Sequence, residues 1–194
     1  MTEATTASRA RALKAQTANT HDRLDKAIMA GDPFADRDRY GLFLAVQQPF
    51  HRDIDALYDD PRQIALLPGL GERRRLGQIE SDLIDLGLPI PATLEPPRFT
   101  VGADLPTALG WLYVAEGSNL GAAFLFKAAL KLGLSKTFGA RHLAGHPDGR
   151  AAHWRQFVQA LDAIDLSPEQ EAQVVAGANA AFGRVHGLVA ETFR

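Results

Sequence analysis

Residues 108–133 read ALGWLYVAEGSNLGAAFLFKAALKLG, and this stretch decides the fold class. Its apolar residues return at spacings of three and four over roughly seven turns, the signature of a long helix. Gly117 and Gly121 interrupt it four residues apart, on one face. Each interior glycine costs about 1 kcal/mol relative to alanine, so the pair forfeits about 2 kcal/mol. Such a concession suits a backbone that must lie close to something flat or bulky. Close helix–helix packing is one such use, and a flat ligand is another.

The flanking sequence is also helical. Helix one runs from about Thr6 to Ala30 and stops at Gly31-Asp32-Pro33. Helix two starts near Asp36 and carries Tyr40, Phe43, Leu44, Gln47, Phe50, His51, Ile54 and Leu57, with Pro49 expected to kink or divide it. A third helix is expected over about Gly71–Leu86. Residues 87–106, with Pro89, Pro91, Pro96, Pro97 and Pro106, read as an extended connection. A helix over about Gly149–Ile164 follows a loop through His142–Gly149. The last helix opens at Ser167-Pro168-Glu169-Gln170, a capping box with proline at the first position, and runs to about Phe193. Alternating β patterns, internal repeats and composition breaks are missing. The expectation is an all-α, single-domain, multi-helical bundle over residues 1–194, with residues 1–5 a flexible tail.

Composition narrows the function. The 194 residues carry a net charge of −2, which argues against a nucleic-acid partner. Without cysteine, disulfides, thiolate catalysis, zinc–thiolate sites and thiolate-ligated haem are excluded. No apolar run reaches the length of a membrane span, and the N-terminus lacks a secretory signal, so a soluble, cytoplasmic protein is expected. The basic cluster Arg73-Arg74-Arg75, beside Glu72, Glu80 and Asp82, reads as a solvated helix face with a docking or pocket role behind it.

No Gly-x-Ser-x-Gly, Walker, flavin or nicotinamide pattern is present, which leaves the histidines and the glycine helix. His142 and His146 fall in a glycine-rich loop and read as surface residues. His153 reads as structural or exposed, and His186 as exposed, satisfied or facing a pocket. His21 stands in the middle of helix one with no capping reason to be there. Lys14 lies seven residues before it, about 10 Å along the axis, and Asp25 four residues after it. A cation, an imidazole and a carboxylate on one stripe suit a metal centre with anionic arms, though an ordinary amphipathic face fits them as well. Gln47 and His51 form a polar pair on helix two, either exposed or functional.

Taken together, LKAQTANTHDRLD and GWLYVAEGSNLGAAFLFK resemble the bacterial haem oxygenases, over the whole chain in helix order and motif position. Glu116-Gly117-Ser118-Asn119-Leu120-Gly121 carries the more specific likeness. The resemblance implies haem clamped between a proximal helix and a kinked distal helix, with His21 as iron ligand. It implies Gly117, Ser118 and Gly121 against the macrocycle, and Gln47 and His51 in a distal water network to which one of Arg73–Arg75 contributes. It further implies Lys14, Thr17, Tyr113, Lys127 and Phe182 as haem contacts. The implied activity is oxidative cleavage of haem to biliverdin, ferrous iron and CO, with haem b as both substrate and cofactor. Dioxygen and electrons from a ferredoxin or flavoprotein reductase complete it. A monomer, no membrane or nucleic-acid partner and a bilin-accepting photoreceptor downstream belong to the same picture. A haem-binding module without turnover is the alternative. A thiamin-pyrimidine hydrolase of similar shape would need a cysteine that this chain lacks. The His21–Asp25 contact is expected to be long, partial or water-mediated, because a direct carboxylate would make the ligand more basic.

Overall fold

The computed structural model describes residues 8–92 and 95–194. The expected tail and the expected helix start at Thr6 lie outside them. Seven α-helices span Arg9–Ala30 (α1), Arg37–Ile54 (α2), Pro61–Leu66 (α3), Leu76–Asp85 (α4), Leu105–Lys131 (α5), Arg150–Asp162 (α6) and Pro168–Thr192 (α7). There is no β-strand among the described residues.

Local chemistry sets the helix starts. The side chains of Ser8, Asp36, Asp60, Asp104 and Ser167 each accept from a backbone N–H in the first turn of the helix they precede. At α7 the capping box forms as expected, Gln170 returning a bond to the Ser167 N–H at 2.8 Å. Three expectations need correction. Pro49 does not divide α2, which continues from Arg37 to Ile54. Pro106 belongs to the first turn of α5, where its missing N–H has no partner to lose. The helix expected from Gly71 begins only at Leu76, after a 3₁₀ turn over Leu70–Arg73. The short α3, between the Asp59-Asp60-Pro61 turn and Gly69, went unforeseen. Buried Asp60 starts it and also accepts from the Gly102 N–H at 2.9 Å, tying it to the connection before α5.

The bundle is organised around α5 and α7, which pack on one another more extensively than any other pair. Two further glycines explain how closely. A Cβ on Gly110 would lie 2.2 Å from the Val174 carbonyl oxygen, and one on Gly177 would lie 2.5 Å from that of Thr107. α7 also packs along α1 in parallel: Arg9 pairs with Glu171, Thr20 with Asn179, and Gly31 underlies Phe193. Direct contact between α1 and α5 is slight. Those two helices are joined chiefly through α7. Buried Asp53 ties α2 to α7 and to the connection before α5, accepting from Arg184 at 2.8 Å and from the Arg98 N–H at 3.2 Å.

Candidate functional site

The residues singled out in the sequence fall mainly on α1, α2 and α5. On α1, His21 is exposed, with 58% of its side chain accessible, and its ring meets Phe182 of α7 edge-on at 5.7 Å. Its Nδ1 lies 3.2 Å from Asp25 Oδ2. Of the expected outcomes, the long contact does not occur: one helical turn brings the two side chains within ion-pair distance, without a hydrogen bond of good geometry. Lys14 is exposed on the same helix and, among the described residues, has no carboxylate within 4 Å. Thr17 is buried and its hydroxyl donates to the Leu13 carbonyl at 2.8 Å.

On the other side of the site residues, α5 continues as one helix through both glycines. Its character changes at Gly117. Of residues 117–131, only Ala122 and Ala129 are buried, whereas every residue from Ala108 to Glu116 is. A Cβ on Gly121 would meet nothing within 4 Å, and one on Gly117 would meet only Trp154, at 3.7 Å. Leu120 and Phe124 are exposed beside them. These glycines are not a helix-packing notch; that role belongs to Gly110 and Gly177. They leave a bare stretch of backbone next to open space. Ser118 turns its hydroxyl onto the Ala115 carbonyl at 2.7 Å, and exposed Lys127 pairs with no carboxylate among the described residues. Tyr113 is buried with its ring 5.8 Å from Trp154, further inside the protein than a residue at a ligand edge.

The polar groups beside α5 depart most from expectation. Arg73 and Arg75 are buried, not a solvated face. Arg73 Nη1 donates to Glu116 Oε2 at 3.1 Å, and the Tyr58 hydroxyl donates to Glu116 Oε1 at 3.1 Å. Burial pushes the Glu116 carboxyl above its ordinary range, and the Arg73 guanidinium and Tyr58 work against that. His142 is also buried, its Nδ1 2.8 Å from Asp82 Oδ2, so the glycine-rich loop is anchored at this residue. His146 is partly covered, stacking on His153 at 4.3 Å. His153 is structural, its carbonyl accepting from Arg73 Nη2 at 2.9 Å. Half-buried Gln47 and buried His51 do not behave as an exposed pair. His51 Nδ1 has no partner, and burial with the nearby His142 and Arg75 holds its pKa down to about 3. A buried imidazole nitrogen in that state is suited to an ordered water. His186 is half-buried on α7.

Sequence reading missed Tyr58, Trp154, Asp82 and the Glu116–Arg73 pair. Glu116 alone carried a usable signal, as a carboxylate on the all-apolar half of a helix.

The arrangement fits a porphyrin. α1 offers an exposed imidazole, α5 a helix turn free of side chains with exposed Leu120 and Phe124 beside it, and each helix one lysine without a carboxylate partner among the described residues. Known proteins point the same way. Residues 99–191 match the heme oxygenase family model. The chain is 43% identical over 185 residues to heme oxygenase PigA of Pseudomonas aeruginosa, covering 95% of this chain and 93% of that protein. A heme oxygenase of Xanthomonas campestris is 34% identical over 124 residues, covering 63% of this chain and 71% of its own. The NO- and CO-bound heme oxygenase of Neisseria meningitidis superposes with a TM-score of 0.90 at 44% identity, over 96% of this chain and 92% of that one. The heme oxygenase of Leptospira interrogans, at 16% identity and a TM-score of 0.75, shares the fold.

Proposed function

This chain belongs to the haem oxygenase family and degrades haem, and from that premise we propose how its own residues divide the work. The observation that carries the reading is the bare α5 backbone at Gly117–Gly121, open beside both glycines, and the exposed His21 imidazole on α1 accompanies it. Haem b is both substrate and cofactor: when bound it supplies the iron at which dioxygen is activated and the ring that is opened. His21 would hold the iron through its imidazole, with the Asp25 carboxylate beside Nδ1 at 3.2 Å helping to orient the ring. Phe182 limits the tilt of that imidazole from α7. Lys14 and Lys127 would anchor the propionates as point charges.

Gly117 and Gly121 let the α5 backbone approach the macrocycle, and the same closeness restricts where a second small ligand can sit. Proton supply falls to ordered water held by His51, whose lowered pKa keeps it neutral near pH 7 and able to accept as well as donate. Gln47 and Ser118 lie on the same two helices and would complete that water chain, whereas Thr17 and Tyr113 serve the walls by packing. Electrons come from a separate ferredoxin or flavoprotein reductase. The reaction so read releases biliverdin, ferrous iron and CO, in the cytoplasm, from a single-domain monomer. A bilin-accepting photoreceptor is one destination for the product.

One experiment tests both activity and ligation. The purified chain is loaded with haem and given O₂ and a ferredoxin–reductase couple for a single turnover, with product analysis. Loss of the Soret band with biliverdin formation is expected, and an intact Soret band would leave only a haem-binding module. His21→Ala should remove the histidine-ligated spectrum of the ferric complex. An unchanged spectrum would move the ligand to His186 or His51.

A further inference from the structure

Beside the Glu116–Leu120 turn of α5 lies a cleft of about 250 Å³ including its mouth, lined in part by Arg73, Arg75, Glu116, His146, Arg150 and His153. The cleft is narrow, with room for the centres of water-sized groups of only about 10 Å³. Three guanidinium groups face it with one carboxylate among them. Glu116 is taken by Arg73 at 3.1 Å. Among the described residues, neither Arg75 nor Arg150 has a carboxylate within 4 Å.

Carbonyl groups hold these two arginines in place. Arg75 Nη1 donates to the His142 carbonyl at 2.6 Å, and Arg150 donates to the Asn119 carbonyl at 2.8 Å and to that of Leu143. Carbonyls orient a guanidinium without neutralising it, and buried cations in proteins are normally paired. The surroundings register the excess. His153 has its pKa held down to about 4 by burial, Arg73, His146 and Arg75, with only Asp148 opposing. Arg150 is pushed down by burial and by Arg75.

We propose that this cleft is a binding site for a small oxyanion, whose single carboxylate or phosphate group enters between Arg75, Arg150 and the His146–His153 stack. The occupant would bridge the 141–150 loop and α6 to the turn of α5 that carries Gly117, because Arg150 already reaches the Asn119 carbonyl of that turn.

The test is a titration of the full chain with inorganic phosphate, and separately with acetate, at constant ionic strength. The imidazole Cε1–H signals of all six histidines are followed by NMR. Saturable shifts confined to His146 and His153 are expected, with the His153 pKa raised by about one unit or more, since an adjacent anion favours the imidazolium. Arg150→Gln, checked for folding by circular dichroism, should weaken binding about tenfold, the loss of one charge-assisted bond. Saturation by phosphate alone assigns a tetrahedral anion; saturation by acetate as well assigns a carboxylate. Unsaturating drift shared by all the histidines, or equal affinity in Arg150→Gln, overturns the site. The wild-type titration decides the matter even if the variant fails to fold.

Discussion

Gly110 and Gly121 are one residue type on one helix, and they answer to different neighbours. At Gly110 an added methyl would run into the α7 backbone, at 2.2 Å from the Val174 oxygen and 2.5 Å from the Ala178 nitrogen. Gly110→Ala should therefore destabilise the protein by at least about 1–3 kcal/mol, seen as a lower urea midpoint. At Gly121 the methyl has open space, and Gly121→Ala should raise the stability of the haem-free protein by about 1 kcal/mol through helix propensity. The same change should weaken haem binding, because the methyl occupies the surface the macrocycle needs. Stability gained together with affinity lost separates a ligand-facing glycine from a packing one; a stability loss at Gly121 would contradict the reading. His21, Lys14, Gly117 and Gly121 could be singled out as candidates because their oddity is local, a polar or bare residue where helix periodicity expects another. Gly110 stands in the same stretch and gave no such signal, since its reason lies 67 residues away at Gly177.

Among the elements, α5 is divided at Glu116 into a buried half and an open half, and the Tyr58–Glu116–Arg73 triad fixes the boundary. The triad ties α5 to the two 3₁₀ turns that carry Tyr58 and Arg73, and through Arg73 to α6. Glu116→Gln would leave the Arg73 charge buried without its partner, a loss of about 3–5 kcal/mol by urea denaturation. Replacing both by apolar residues of similar size, Arg73→Met with Glu116→Leu, should recover most of that. A double variant as unstable as the single one would show that the triad's hydrogen bonds matter more than its charge balance. This part of the site was hidden from sequence for a physical reason. A run of three arginines looks solvated until a carboxylate 43 positions away and a set of loop carbonyls are folded around two of them. The same holds for His142, whose burial depends on Asp82, 60 positions earlier. The caps at Asp36 and Ser167 were readable, whereas those at Ser8, Asp60 and Asp104, and with them α3 and the 3₁₀ turn over Leu70–Arg73, were not.

For the molecule as a whole, burying neutral histidines makes stability depend on pH. The pKa of His51 falls from 6.5 to about 3 on folding, so between those values the unfolded chain takes up a proton that the native state refuses. Its contribution is fully present above pH 6.5 and is lost progressively as the pH falls toward 3. His153, lowered to about 4, acts in the same direction. His51→Leu should flatten the fall in urea midpoint across that window, and an unchanged slope would place the acid sensitivity elsewhere.

The parallel seating of α1 on α7, with little contact to α5, also bears on time. Only five of the 22 residues of α1 are buried, against 12 of the 27 in α5. Local opening follows the least buried element, so amide hydrogens of α1 should exchange with deuterium sooner than those of α5 between Ala108 and Glu116. The element that carries the proposed iron ligand is then the one that yields, and on that reading the residence time of product becomes a property of the α1–α7 seam.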